Sequence, residues 1–340
     1  MYPITLIPGD GIGPSIMEAA VKVLDATGVK FSWDERLAGM AAVQKFDTPI
    51  PFETLESIRK SRLAFKGPLT TPVGGGYRSV NVALRQEFEL YANVRPATSF
   101  EGLDTRYKNV NILIVRENTE GLYSGIEHFI RADGINIAAE STAVITRSGA
   151  EKSVRYAFEY ARTNKRKRVT VVHKANILKC TSGLFLEVAH EIAREYPEIE
   201  FQDKIIDACA MQMVIDPTVF DVMVTTNLFG DILSDLAAGL VGGLGLTPGA
   251  NIGKTAAIFE AVHGSAPDIA GKNIANPTAV IMGGVMMLEY LGEHEAAMRV
   301  DKAVREVIKE GKLVTPDLNK TSKSGTVEFG AEVARRVKLG

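Results

Sequence analysis

The chain is poor in cysteine, with Cys180 and Cys209 as its two examples among 340 residues. Two cysteines build no disulfide framework, so the sequence favours a reducing compartment, and each is predicted to be a small core residue rather than a nucleophile. Long hydrophobic runs are missing too, since none reaches the roughly 18 residues that suggest a membrane span. Neither charge dominates, because 39 lysines and arginines stand against 41 acids. Neither nucleic acid nor a membrane is therefore expected as a partner.

The first residues, Met1 to Ile7, have the pattern of a strand. They lack the basic region and small-residue cleavage site of a signal peptide. The expected location is the cytoplasm, with an organelle matrix as the open alternative.

At 340 residues, 46% of them hydrophobic, the chain is long enough for two domains or for one large α/β domain with an insertion. Short apolar runs alternate with amphipathic helical patterns, which predicts α/β layers with a parallel or mixed sheet. The strand candidates are Ile4 to Ile7, Leu63 to Phe65, Val110 to Val115, Val169 to Val172, Val222 to Thr225 and Ala257 to Phe259. The helix candidates are residues 14–27, Ala150 to Thr163, Ser182 to Tyr196, Thr278 to Leu291 and His294 to Glu310.

The most informative segment runs from Asp221 to Asp235. It opens as an apolar run and is predicted to turn between Asn227 and Gly230 before a helix that carries Asp231 and Asp235. Residues four apart share one face of a helix with Cβ atoms about 5–6 Å apart, so two carboxylates there repel unless a cation lies between them. A hard divalent ion with oxygen ligands, Mg²⁺ or Mn²⁺, would relieve that repulsion. The alternative is a helix N-terminus whose acids face solvent and favour the macrodipole.

A glycine-rich segment, Gly9 to Gly13, follows the first strand and precedes a helix. A dinucleotide-binding fingerprint occupies the same place, but it needs glycine at its sixth position, where this chain has Pro14. The segment is therefore not interpreted as a Rossmann phosphate loop, although its glycines permit close approach to a ligand.

A second glycine-rich segment, residues 67–79, is followed by Arg85, Arg95 and Arg116. These arginines lie in or beside short apolar segments, which favours recognition of a polyanion, because guanidinium groups pair carboxylates through two hydrogen bonds. Three surface salt bridges are the alternative. Lys174 follows a predicted strand, where α/β sites tend to lie, and Tyr123 could supply a proton.

Six motifs resemble the β-decarboxylating dehydrogenases, the isocitrate and isopropylmalate dehydrogenase family, and they extend nearly from end to end of the chain. The resemblance is nearest to the NAD-dependent isocitrate enzymes, and it implies a two-domain α/β fold with a mixed sheet that is not a Rossmann fold. The motifs are Leu-Ile-Pro-Gly-Asp-Gly-Ile-Gly at 6–13, Leu-Tyr-Ala-Asn-Val-Arg-Pro at 90–96, Arg-Glu-Asn-Thr-Glu-Gly-Leu-Tyr at 116–123, His-Lys-Ala-Asn at 173–176, Asn-Leu-Phe-Gly-Asp-Ile-Leu-Ser-Asp at 227–235 and Glu-Ala-Val-His-Gly-Ser-Ala-Pro-Asp-Ile-Ala-Gly at 260–271.

The resemblance implies a metal site. Asp231 and Asp235 would hold Mg²⁺ or Mn²⁺ together with Asp207 of a neighbouring subunit. The ion would chelate the hydroxyl and the adjacent carboxylate of the substrate, and would stabilise the enolate left by decarboxylation.

The resemblance also implies roles for the cationic and phenolic side chains. Arg85, Arg95 and Arg116 would bind substrate carboxylates. Lys174, also from the neighbouring subunit, would remove the hydroxyl proton as hydride leaves for nicotinamide, and Tyr123 would protonate the enolate.

The substrate is predicted from Ser79 and Asn81, which resemble residues that hydrogen-bond the third carboxylate in isocitrate enzymes. Isopropylmalate relatives carry apolar residues there, and an isopropyl group would leave the hydroxyl and the amide unpaired at about 1–3 kcal/mol each. Isocitrate is therefore the expected substrate, with homoisocitrate and 3-isopropylmalate as the competitors.

The cofactor is predicted from the segment after His263. Relatives that use NADP typically have lysine and tyrosine where this chain has Asp268 and Ile269. Asp268 would accept hydrogen bonds from the adenosine ribose and repel a 2′-phosphate, so NAD is expected. Asn276 matches an adenine-contacting asparagine and His263 an adenine-side histidine, and Thr71 completes the implied cofactor set.

The resemblance implies a large domain from both chain ends, residues 1–95 and 242–340, and a small domain from residues 96–241. The small domain would carry the dimer interface, with a short clasp at about 122–147. Because Lys174 and Asp207 would act across the interface, the expected assembly is a homodimer with shared active sites, with a higher oligomer left open. A non-catalytic regulatory subunit of a hetero-oligomer is the alternative from a different class, but the chain keeps Tyr123, Lys174 and all three aspartates.

Overall fold

The computed structural model of the chain describes residues 1–71, 77 and 79–340. Gly74 to Gly76 and Arg78, from the second glycine-rich segment, lie outside the described residues. Strands and helices are interspersed along the described part of the chain, which agrees with the predicted α/β class. The strands are β1 (Tyr2–Ile7), β2 (Phe31–Glu35), β3 (Leu63–Lys66), β4 (Ala92–Thr98), β5 (Asn111–Glu117), β6 (Glu127–Ala132), β7 (Ile135–Ser141), β8 (Arg168–His173), β9 (Glu200–Ile205), β10 (Val222–Thr225), β11 (Pro248–Ile252) and β12 (Ala257–Ala261). The helices are α1 (Gly13–Asp25), α2 (Met40–Phe46), α3 (Phe52–Ser61), α4 (Val80–Glu87), α5 (Arg147–Thr163), α6 (Thr181–Ala193), α7 (Ile206–Ile215), α8 (Asn227–Val241), α9 (Thr278–Tyr290), α10 (His294–Glu310) and α11 (Thr326–Leu339). Within this described part of the chain, β4 to β7 follow one another without an intervening α-helix, as do β11 and β12.

Helix α8 begins at Asn227, so the prediction that it begins at Asp231 is wrong. The segment expected to turn is its first turn, because the Gly230 N–H donates to the Thr226 carbonyl at 2.9 Å, the bonding pattern of an α-helix. Asp231 and Asp235 consequently lie beyond that first turn, where the macrodipole has little influence on a carboxylate.

One compact unit contains Met1–Phe88, Thr98–Lys108 and Ala238–Gly340. Its strands are ordered β2-β1-β3-β12-β11, with parallel pairs except for antiparallel β11 and β12, so this sheet is mixed. Strands β3, β11 and β12 are buried along their whole length, and α9 packs on β11 and β12. Trp33, on edge strand β2, has its ring centroid 4.9 Å from that of Phe31 and 6.2 Å from that of Phe65. Its indole N–H donates to the Asp25 carboxylate at 3.1 Å.

The second compact unit contains Glu89–Ala97 and Asn109–Ala237. Its strands are ordered β4-β5-β10-β8-β9, and β5, β10, β8 and β9 are mutually parallel. Because the carboxyl ends of parallel strands lie at one edge, the residues that follow β5, β8 and β10 meet there. The domain boundaries at residues 95 and 242 stay a prediction of the sequence.

Strands β6 and β7 form a separate antiparallel hairpin inside the segment predicted as a clasp. Asp133 and Gly134 connect them with positive φ angles of 50° and 74°, as a two-residue type I′ turn requires. Every residue of both strands is exposed, including Phe129 and Ile137. A lone hairpin with exposed apolar side chains is only marginally stable in water. No helix in the described ranges is long and apolar enough to cross a membrane.

Candidate active site

Arg116 lies at the end of β5 and faces the start of α8. Its side chain is 1% exposed, and Nε and one terminal nitrogen donate to the Asn227 side-chain oxygen at 2.9 and 2.7 Å. The other terminal nitrogen donates to the Asp231 carboxylate. Glycine at position 230 permits this approach, since a Cβ there would lie 2.6 Å from both Cβ and Cγ of Arg116.

Arg95 reaches the same helix from β4. One of its terminal nitrogens donates to the Ser234 hydroxyl at 2.6 Å and lies 3.3 Å from Asp231 and 3.5 Å from Asp235. Its Nε donates to the Asn93 side-chain oxygen at 2.5 Å. The two carboxylates therefore have arginine partners within the chain, which relieves their repulsion in a way that the spacing did not indicate.

Tyr123 completes this cluster from the short 3₁₀-helix Leu122–Ser124. Its hydroxyl donates to Asp231, and the Arg116 guanidinium lies 5.0 Å from its ring centroid. Burial raises the pKa of the phenol, and the bond to Asp231 raises it further, although Arg116 opposes both effects. Tyr123 is consequently a neutral hydroxyl that can give a proton at ordinary pH.

Asp235 is the more exposed of the two aspartates on α8. Its side chain is 54% exposed, whereas that of Asp231 is 34% exposed. Partial burial raises the pKa of Asp235, although Arg95 favours the charged form. Two carboxylates on one helix face supply the all-oxygen donors that Mg²⁺ and Mn²⁺ prefer, so the chemistry of these residues fits such an ion.

Lys174 and Asp207 form a second, separate pair in the same unit. Lys174 directly follows β8, Asp207 lies in the first turn of α7, and the Lys174 Nζ is 2.5 Å from the carboxylate. The hydrogen bond from Lys174 lowers the pKa of Asp207. Within the described residues, no three histidine, cysteine or acidic side chains are placed to hold a metal ion together.

In the other unit, α4 carries the candidate substrate residues. Ser79 caps the helix by accepting from the Val82 N–H at 3.5 Å, and the Thr71 hydroxyl donates to the Ser79 hydroxyl at 3.4 Å. Asn81 and Arg85 are four residues apart on one helix face. The buried side-chain oxygen of Asn81 has no hydrogen-bond partner among the described residues. A buried acceptor in that condition is costly unless a ligand or water supplies a donor.

A buried ion pair next to Arg85 was not predicted from the sequence. Lys66 lies 2.6 Å from Glu260, and the Asn251 amide donates to the same carboxylate at 2.6 Å. Burial would raise the pKa of Glu260, but the charges of Lys66 and Arg85 hold it at about 2. The only signal in the sequence is a lysine that ends an otherwise apolar strand, Leu63–Lys66.

The candidate cofactor residues follow β12. The buried His263 Nε2 has no partner in the described part of the chain, and Nδ1 bonds the Gly264 carbonyl at 3.0 Å. Burial lowers the pKa of His263, so the ring is neutral near pH 7. Asp268 and Ile269 lie in the 3₁₀-helix Pro267–Ile269, with Asp268 exposed.

Asn276 has a fixed amide orientation. Its nitrogen donates to the Asp317 carboxylate at 2.9 Å, and its oxygen accepts from the Thr278 N–H at 2.9 Å. One amide hydrogen therefore stays available for a ligand.

The first glycine-rich segment packs on this region through its backbone. The Ile12 N–H donates to the Ser265 carbonyl at 2.8 Å, and a Cβ on Gly11 would lie 2.0 Å from that same oxygen. Gly11 also has a φ of 58°, which side chains rarely adopt. These contacts account for Gly11 without a phosphate ligand.

Comparison with known proteins gives matches over nearly the whole chain. A family model described as isocitrate/isopropylmalate dehydrogenase matches residues 3–333. The mitochondrial isocitrate dehydrogenase [NAD] catalytic subunit 5 of Arabidopsis thaliana is 50% identical over 326 residues, which cover 96% of this chain and 86% of that protein. The chloroplastic 3-isopropylmalate dehydrogenase of Solanum tuberosum is 48% identical over 310 residues, which cover 91% and 86%. The crystal structure of isocitrate dehydrogenase from Methylococcus capsulatus has a TM-score of 0.98 and 69% identity, with 99% of this chain and 100% of that chain covered. The predicted α/β fold class is confirmed.

Proposed function

Because this chain belongs to the isocitrate/isopropylmalate dehydrogenase family, we propose that it is a catalytic NAD-dependent isocitrate dehydrogenase. It would convert isocitrate to 2-oxoglutarate and CO₂ with a divalent metal. The cluster of Tyr123, Asp231 and two buried arginines at the start of α8 is the observation that carries the proposal. In this cluster a neutral proton donor, a carboxylate able to bind a metal ion and two cations able to bind carboxylates lie within hydrogen-bonding contact.

The metal site proposed for this chemistry consists of Asp231 and Asp235 with Asp207 of a second subunit. Mg²⁺ or Mn²⁺ bound there supplies Lewis-acid stabilisation of negative charge on the substrate oxygens. Arg95 and Arg116 already contact Asp231, so the same guanidinium groups lie beside the place where substrate carboxylates would bind. A guanidinium group offers a carboxylate two parallel N–H donors, which the ammonium group of a lysine does not.

Two side chains would move protons. Lys174 would receive the hydroxyl proton while hydride passes to the nicotinamide of NAD. Tyr123 would then give its proton to the enolate carbon after CO₂ leaves, and its raised pKa keeps that proton on the phenol until then.

Recognition of the third carboxylate is assigned to Ser79, Asn81 and Arg85. The Asn81 N–H₂ group would donate to that carboxylate, and the buried side-chain oxygen of the same amide has no partner among the described residues. Asn81→Leu should lower kcat/KM for isocitrate by about tenfold or more, because one hydrogen bond to a charged group contributes about 1.5–3 kcal/mol. Unchanged isocitrate turnover in this variant would contradict the substrate assignment.

NAD is proposed over NADP because Asp268 is exposed on the cofactor-side segment, where it would repel a 2′-phosphate. Thr71, His263, Ile269 and Asn276 complete the proposed cofactor site. The comparison is kcat/KM with NAD against NADP, and a higher value with NADP would overturn the assignment.

A homodimer with shared sites is proposed because Lys174 pairs with Asp207 rather than with Asp231 in one chain. The exposed β6–β7 hairpin supplies an apolar surface for the association. Mixing inactive Lys174→Ala and Asp231→Ala proteins as heterodimers should restore activity at one of the two sites. No recovery in verified heterodimers would count against sharing.

One turnover assay with a panel of substrates distinguishes the proposed function from its alternatives. Purified protein with Mg²⁺ is given isocitrate, homoisocitrate and 3-isopropylmalate, each with NAD and with NADP. The preference expected is isocitrate with NAD. Homoisocitrate or 3-isopropylmalate as the best substrate would overturn the substrate assignment, and no turnover with any acid would favour a regulatory subunit. The proposed location is the cytoplasm, although the Arabidopsis relative is named as mitochondrial.

A further inference from the structure

His173, the last residue of β8, is a buried histidine whose two ring nitrogens both have partners. It is 5% exposed, its Nδ1 lies 3.0 Å from the Ala175 backbone nitrogen, and its Nε2 lies 3.1 Å from the Asp203 carboxylate. A backbone N–H can only donate, so Nδ1 must be the acceptor. The ring proton is therefore on Nε2, which donates to Asp203.

These bonds close a turn around Lys174. The His173 ring binds the N–H of the residue on the far side of Lys174, while the Lys174 carbonyl accepts from Ile177 and Leu178 at 3.0 and 2.8 Å. The backbone of Lys174 is thus held on both sides. Strand β8 runs parallel to β9 with His173 opposite Ile205, so the two acidic partners come from β9 and the start of α7. Asp203 receives the histidine, and Asp207 receives the lysine amine.

We propose that His173, oriented by Asp203, is a positioning residue that holds Lys174 in the place from which it receives the substrate's hydroxyl proton. The inference rests on the proposed function, since it assigns His173 a task only if Lys174 acts in the reaction. A displacement of about 1 Å in a reacting group can cost on the order of a hundredfold in rate. The effect should therefore appear in kcat rather than in ligand binding.

Two substitutions test the two ring nitrogens separately, because each variant keeps one of the two hydrogen bonds of His173 and loses the other. In His173→Asn the amide oxygen takes the place of Nδ1 and can still accept from Ala175. In His173→Gln the amide nitrogen takes the place of Nε2 and donates to Asp203, but the acceptor for Ala175 is lost. With isocitrate, NAD and Mg²⁺, His173→Gln should lower kcat about 10- to 100-fold with each KM within about threefold. His173→Asn keeps the acceptor for Ala175 but loses the bond to Asp203, so its kcat should fall less than that of His173→Gln, by no more than about tenfold.

The position of Lys174 can be followed without turnover. Acetic anhydride labelling of the intact dimer, mapped by mass spectrometry, reports how well Asp207 shields the amine. Lys174 should label at least about threefold faster in His173→Gln, while Lys152, which is distant in sequence and 48% exposed, labels at the wild-type rate. The matched control is His190→Gln, the same substitution at an exposed histidine of α6 in the same unit, with wild-type kcat and labelling expected.

The outcomes separate the inference from the proposed function. If Lys174→Met retains wild-type kcat, the role of Lys174 is wrong and the inference fails with it. If Lys174→Met is inactive while His173→Gln keeps wild-type kcat and labelling, the inference alone is wrong. Faster labelling of all lysines together with loss of substrate binding in His173→Gln would show a general folding defect and would also contradict positioning.

Discussion

Substitution of Gly230 by alanine tests the packing between β5 and α8. A Cβ at this position would lie 2.6 Å from two Arg116 carbons, so the neighbours must separate by about 1 Å to reach an ordinary contact of roughly 3.5 Å. Arg116 has little room to move, because its side chain is 1% exposed and Asn227 holds it with two hydrogen bonds.

Two opposing effects decide the stability of Gly230→Ala. Alanine gains about 1 kcal/mol over glycine in a helix interior, and overpacking a filled interior costs about 1–3 kcal/mol. The free energy of unfolding should therefore fall by between about 0 and 2 kcal/mol. Activity should change far more, because a shift of the Arg116 guanidinium disturbs its contacts with Asp231 and Tyr123. We expect kcat/KM for isocitrate to fall about a hundredfold.

Gly239 offers a matched control on the same helix. It is exposed, and a Cβ added there would meet no atom within 4 Å. Gly239→Ala should raise the free energy of unfolding by about 1 kcal/mol and leave kcat/KM at the wild-type value. Urea unfolding and steady-state NADH formation, measured on both variants, give the comparison. The packing argument is refuted if Gly230→Ala gains stability as Gly239→Ala does and keeps wild-type kcat/KM.

Three further outcomes are expected. Asp235→Asn should raise the Mg²⁺ concentration for half-maximal activity at least about tenfold, since the site loses a charged oxygen ligand; an unchanged metal titration would exclude Asp235 as a ligand. Tyr123→Phe should lower kcat by about 10²- to 10⁴-fold while NAD affinity measured by calorimetry stays constant, and near-normal kcat would remove Tyr123 as the acid. The pKa of Glu260 is held at about 2, below its ordinary 4.5, so its contribution to stability is present above pH 4.5 and is lost as the pH falls towards 2. The urea midpoint of the wild type should consequently fall more steeply between about pH 5 and about pH 3 than that of Glu260→Gln, and equal slopes would contradict this assignment.

The buried parallel strands β3, β5, β8 and β10 were predictable from the sequence because parallel strands covered on both faces form continuous apolar runs. Buried β11, Pro-Gly-Ala-Asn-Ile, was not predicted, since it lacks such a run. The candidate at Val222 to Thr225 matches β10, and Leu63 to Phe65 is one residue shorter than β3. Strands β2 and β9 were not predicted, since Phe-Ser-Trp-Asp-Glu and Glu-Phe-Gln-Asp-Lys-Ile mix polar and apolar residues without a clean alternation. Both strands lie at the edge of their unit's sheet, where half-exposed positions weaken the pattern.

The candidate site was predictable in its parts but not in its contacts. The spacing of Asp231 and Asp235 on one helix face follows from periodicity alone. Their pairing with Arg95 does not, because the partners are 136 and 140 residues apart and meet only when β4 and α8 are folded. The same holds for Lys66 and Glu260, which are brought together by the register of β3 and β12.

The chain has a single tryptophan, so only one of its two compact units contains an indole fluorophore. Trp33 lies in the unit formed by both chain ends, with its ring tilted against those of Phe31 and Phe65. Its emission therefore reports directly on the local packing of that unit, whereas circular dichroism records helices throughout the chain. If the two signals separate during unfolding, the transition seen by circular dichroism alone can be assigned to the unit that carries Tyr123, Lys174 and Asp231.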